Sequence, residues 1–130
     1  MVGLIWFVQV VHYPLFGRVG IKDFPSYAEA HSRLTTWIVG PPMLLEASTA
    51  ALLLFARPEG VPAALVWIGA VLLAVVWLST ALLQVPRHTT LGLGFDAEAH
   101  SFLVLSNWVR TAAWSLRGLV VLWMLSRTMS

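Results

Sequence analysis

Residues 61–100 read VPAALVWIGAVLLAVVWLSTALLQVPRHTTLGLGFDAEAH, and the change of character within them decides the fold. The 25 residues 61–85 contain no charged side chain. Gln84, Arg87, His88, Asp96, Glu98 and His100 then crowd into one short connection. An uncharged apolar run of this length is what a helix needs to cross a bilayer. The polar cluster after it is then a place where the chain meets an interface.

Composition agrees. Hydrophobic residues make up 58% of the 130 residues and charged ones 11%, with a mean hydropathy of +0.80. Water-soluble domains are about a quarter charged, so this chain lacks the polar surface to cover a soluble fold. Seven Trp suit a membrane interface, where indole rings anchor. The net charge of +2 arises from scattered residues with no basic run, so nucleic acid is not an expected partner. The absence of Cys excludes disulfides, thiolate metal sites and Cys nucleophiles.

Working outward from 62–85, three more apolar segments emerge, at about 2–16, 37–56 and 101–125. The expected fold is all-α: a single-domain integral membrane four-helix bundle, because helices satisfy their own backbone groups in lipid. The N-terminal segment has no positive start and no small-x-small cleavage site, and reads as a first span rather than a signal peptide. Its 16 residues rise only about 24 Å against a hydrocarbon core of about 30 Å. The span therefore continues toward Val19, thins the bilayer, or belongs to a chain that starts upstream. Residues 57–62 (RPEGVP) form a short turn, and 17–33 a longer polar connection with a short helix around 27–31. Gly40-Pro41-Pro42 should bend the second span.

Four crossings put both termini and the 57–62 turn on one side, with Arg57 and Arg127. The other side carries Arg18, Lys22, Arg33 and Arg87. The positive-inside rule then places the two longer connections in the cytoplasm, with the protein in the cytoplasmic membrane. His12, His31, His88 and His100 all fall at that face. Counting inward, Glu46 and Arg110 both lie about 14 Å deep, and a buried ion pair between them is expected. Helical phase brings Gln9, His12 and Tyr13 to one face, and likewise Thr80, Gln84 and His88. His100, Asn107 and Trp114 recur every seven residues, and so do Arg110 and Arg117. The expected site is a polar funnel opening among histidines and closing on the ion pair.

Two readings of each feature stand. The histidines form a metal site (Fe, Cu, Zn or haem), with His12, His31 and His88 as first choices and His100 as a fourth, or they are interfacial side chains. No HxxH, HxxxH or ExxH spacing favours the first. Glu46 and Arg110 are a catalytic or substrate-binding pair, or a structural salt bridge. Gln9, Tyr13, Gln84 and Trp108 are the candidate lining for a bound small molecule, with Trp108 and Trp114 walling an aromatic ligand. Asp96 and Glu98 start the fourth helix at the positive end of its dipole. Arg117 is expected to snorkel toward the far side.

The segments VPRHTTL (85–91) and NWVRTAAWSLRG (107–118) resemble the anthrone oxygenase-like four-span membrane family. There the third span ends in Val-Pro-x-Asn-x-x-Leu, and the fourth has a Trp- and Asn-containing segment reaching Arg-Thr. Val85, Pro86 and Leu91 match the first pattern; Asn107, Trp108, Arg110 and Thr111 match the second. The resemblance implies oxidation of a reduced polyketide aromatic by O2 without metal or flavin, with His88, Asn107 and Arg110 lining the site. His88 stands where the family has Asn, and an imidazole there can act as a base or bind metal.

The function expected is a membrane-embedded oxidoreductase or oxygenase. A histidine, His88 or His12, takes a proton from a lipophilic aromatic or quinol-like substrate, while Arg110 and Asn107 hold the anion. The alternative is a non-catalytic metal- or haem-binding membrane protein or small cation carrier. The bilayer and a lipophilic small molecule are the expected partners, with pairing into a homo-oligomer to cover polar faces.

Overall fold

The computed structural model describes residues 1–129, and every regular element among them is helical. Four long stretches form: α1 (residues 2–15), α2 (Phe24–Phe55), α3 (Ala63–Gly92) and α4 (Ala97–Thr128). α2 and α3 are long and apolar enough to cross a membrane.

The helices exceed the expected spans at the histidine end. α2 begins at Phe24, with Pro25 in its first turn where a missing N–H costs nothing. Residues 24–33, expected in a polar connection with only a short helix around 27–31, are therefore helical throughout, and 85–92, expected in the next connection, is the last part of α3. Asp96 caps α4 by accepting a hydrogen bond from the Ala99 backbone N–H at 2.7 Å, with Glu98 in the first turn. A 32-residue helix is about 48 Å long, so α2 and α4 are each longer than the roughly 30 Å of a bilayer's hydrocarbon core. Tyr13, Phe16, Phe24, Leu91 and Leu103 fill the histidine end with a small core of their own.

Two π turns interrupt the α geometry, Val8–His12 in α1 and Thr80–Gln84 in α3. Each lies just ahead of a proline, Pro14 or Pro86. A proline inside a helix clashes with the carbonyl four residues back, here Val10 and Leu82, and both carbonyls fall within the π turns. Widening the turn relieves the clash. α2 runs through Pro41 and Pro42 as one element.

α4 is the central helix, packing along α3 most extensively and also on α1. Gly118 permits the approach to α1, since a Cβ there would stand 2.9 Å from a Val2 methyl carbon. α2 approaches α3 backbone to backbone, and reaches α1 and α4 through side chains, with Met43 packed among Ile5, Val76 and Trp114. At the opposite end the turn between α2 and α3 is pinned by Gly60 at φ 80, where a Cβ would lie 3.0 Å from the Arg127 carbonyl oxygen. Outer faces are apolar: Trp37, Leu45, Phe55, Trp67, Leu82 and Leu119 are all exposed, and of the seven Trp only Trp114 is buried.

Candidate functional site

All four histidines sit at one end, around the buried ring of Phe16. The Nε2 of His12 and Nδ1 of His31 share a hydrogen bond of 2.8 Å, and Thr35 Oγ1 lies 3.2 Å from the same His31 nitrogen. His88 stacks on His31 with centroids 5.3 Å apart, and its Nε2 shares a 3.0 Å hydrogen bond with the Tyr13 hydroxyl. His100 stands aside, its Nε2–H donating to the Tyr13 carbonyl at 2.8 Å.

Beneath the rings lies Arg110, 7% exposed, beside the Tyr13 hydroxyl. Its Nη1 donates to Asn107 Oδ1 at 3.3 Å, and its guanidinium carbon lies 5.2 Å from the centre of the Trp114 ring. Asn107 is fully buried and donates through Nδ2 to Gln9 Oε1 at 2.9 Å; Thr111 Oγ1 donates to the same oxygen at 3.3 Å, and Gln9 Nε2 to the Val104 carbonyl at 3.1 Å. In this run of bonds each amide accepts through its oxygen and donates through its nitrogen. The Gln84 amide nitrogen donates to Ser106 Oγ at 2.9 Å. Two buried atoms are left without partners here, Arg110 Nε and Gln84 Oε1.

A cleft of about 640 Å³ opens between α2 and α3 onto this group, with Tyr13, His31, Gln84, His88 and Arg110 in its walls and Val39, Met43 and Trp77 among its apolar lining. Its size is that of sites that enclose small organic ligands. No carboxylate pairs with Arg110 among the described residues. The cleft therefore presents one buried cation bordered by neutral groups.

Several expectations are corrected. The Glu46–Arg110 ion pair does not form: Glu46 Oε2 accepts from Trp114 Nε1 at 2.8 Å. The cause is the start of α2. Glu46 lies 15 residues below His31, whereas Arg110 lies 10 below His100, so Glu46 is about a turn deeper, level with Trp114. It faces a separate cavity of about 680 Å³ toward the other end, with Ser115 and Arg117. Arg117 does not snorkel outward; it is buried, and Nη1 donates to the Gly69 carbonyl at 2.8 Å. Trp108 is not in the lining. It is 46% exposed on the outer face, edge-on to Trp6 at 5.6 Å. Asn107 and Gln9 hold Arg110 and the α1–α4 contact from behind, outside the cleft lining.

The expected metal set of His12, His31, His88 and His100 is not found either: among the described residues no three or more His or acidic side chains are grouped to hold an ion. The nitrogens that would converge are directed at one another, at Tyr13 or at a carbonyl. Thr35, Phe16 and Ser106 belong to the site and carried no signal as ligands. Thr35 sits one turn after His31, a spacing that only matters once 24–36 is helical.

Compared with protein families, with curated proteins and with solved structures, the chain finds no match in any of the three.

Proposed function

We propose that this chain is an integral membrane four-helix bundle that binds a lipophilic weak acid, of the phenol or quinol type, in the α2–α3 cleft and promotes its oxidation. The observation that carries the reading is Arg110: a buried guanidinium at the wall of an otherwise uncharged cleft, with an unpartnered Nε and no carboxylate. A buried cation without a counter-charge is costly, and an anionic ligand oxygen would compensate it. The belt of exposed Trp and aliphatic side chains supports immersion in lipid, from which such a ligand partitions.

The chemistry follows from the walls. A phenolic oxygen held at Arg110 is stabilised as its anion, and a neutral imidazole of His31 or His88 takes the proton. The anion is the electron-rich form that O2 oxidises. A quinol then loses two electrons and two protons to become a quinone, and O2 gains them to become H2O2. The resemblance of 85–91 and 107–118 to the anthrone oxygenase-like family supports the same substrate class. The surplus of Arg and Lys at the histidine end supports a cytoplasmic orientation for the site.

Oxygen uptake tests this. Protein in vesicles is given an alkyl hydroquinone, an alkylphenol or an anthrone, and O2 consumption is followed. Uptake above that of protein-free vesicles is expected, falling by roughly 100-fold in Arg110→Leu, the scale of losing one preorganised anion-stabilising donor. No uptake above the blank with any of the three substrates would sink the reading.

A further inference from the structure

His31 stands between two cavities, and it also borders a small void of about 30 Å³ that reaches Tyr13 and Arg110. On one side it lines the cleft with Arg110; on the other it lines a groove of about 440 Å³ between α1 and α2, together with Leu4, Phe7, His12 and Tyr27. His12 lines the groove but not the cleft. The two rings touch through the 2.8 Å hydrogen bond between His12 Nε2 and His31 Nδ1, so one of these nitrogens presents a lone pair to the other's N–H.

We propose that the His31–His12 pair is a proton relay through α2, carrying the ligand's proton from the cleft to the α1–α2 groove. It rests on the weak-acid reading above. The starting tautomers have His31 protonated on Nδ1, donating to His12, with His31 Nε2 free on the cleft side. Ligand O–H breaks and its proton joins His31 Nε2. In the same event the Nδ1 proton crosses to His12 Nε2, and His12 then gives up its own Nδ1 proton on the groove side to water at the interface. One proton enters and one leaves; the phenolate keeps the electron pair. When reduced oxygen later takes up protons the pair runs backwards, and that return restores the starting tautomers.

His88 offers no such route, because its Nε2 ends on the Tyr13 hydroxyl beside Arg110. A proton retained there would face the guanidinium across a low-dielectric gap, where like charges repel strongly. Transfer to His12 moves the positive charge away from Arg110.

The test uses the full chain in nanodiscs and a nitrophenol with a long alkyl tail, whose phenolate absorbs in the visible. Rapid mixing gives two readouts. The amplitude of bound phenolate, expected to vanish in Arg110→Leu, reports on the weak-acid site. The rate of its formation reports on the relay. His12→Gln keeps a hydrogen-bonding side chain but cannot pass a proton between two nitrogens. Its rate should fall by roughly 10- to 100-fold with the amplitude intact, and imidazole in the buffer should restore it. An unchanged rate at full amplitude would overturn the relay while leaving the site standing. Wild-type protein supplies a second measurement free of any folding defect: the rate in mixed H2O and D2O should curve with deuterium fraction, as two protons in flight require, and a straight line overturns the relay. Absence of phenolate in the wild type overturns both proposals.

Discussion

Asn107 and Trp114 show how single side chains set the chemistry of this chain. Asn107 accepts from a guanidinium on one side and donates to a glutamine on the other, satisfying two helices with one amide. Trp114 stacks its face toward Arg110 and turns its N–H to Glu46, so it stands between the two charges that sequence spacing would have paired. This arrangement predicts two different outcomes at position 46. Glu46→Gln keeps an oxygen that can accept from Trp114 and loses only the attraction of the carboxylate for Arg117, so thermal unfolding in detergent should shift less than in the leucine variant. Glu46→Leu strands a buried indole N–H and should cost about 1–3 kcal/mol. Equal destabilisation by both variants would point to a charge interaction of Glu46 and against the indole as its main partner.

The helices carry an instruction written by two prolines. Pro14 and Pro86 each follow a π turn, and the extra residue in that turn re-aims what comes next: Tyr13 after the first, His88 after the second. Those two side chains then meet at 3.0 Å. Pro86→Ala restores the N–H and removes the clash, so α3 can tighten into regular α geometry. Helix content by circular dichroism should hold, and melting temperature should hold or rise, because an interior proline disfavours a helix by about 3 kcal/mol relative to alanine. Binding of the alkyl nitrophenol should nevertheless weaken by at least roughly tenfold, the weight of one charge-assisted hydrogen bond misplaced. Unchanged affinity in a regularised helix would show that the π turn does not aim the site. Gly118 works by a plainer device, letting α1 lie against α4 where any side chain would meet Val2.

For the molecule as a whole, the apolar outer faces and the grouped basic residues make a prediction about direction. Because the chain has no Cys, single cysteines can be introduced on a clean background. A Cys at Lys22, next to the histidine end, should resist an impermeant maleimide in intact cells and react after permeabilisation. A Cys at Glu59, in the turn at the other end, should react in intact cells. The reverse pattern would invert the orientation, and identical behaviour at both positions would contradict a membrane-spanning arrangement.

Local pattern determined the helical class and the ends at which polar groups collect. Charge-free length and the placement of Pro, Gly and Asp are properties of neighbouring residues, and the solvent acts on them residue by residue. The gathering of His12, His31 and His88 was legible in this way, since each falls at the same end of its helix. Tertiary structure decided who touches whom. The pairing of Glu46 with Trp114 depends on where α2 begins, and the burial of Arg117 on Gly69 and the exposure of Trp108 depend on which face α4 turns toward α3 and α1. A one-turn offset between helices changes every partner, and nothing in a single helix records its height relative to the next.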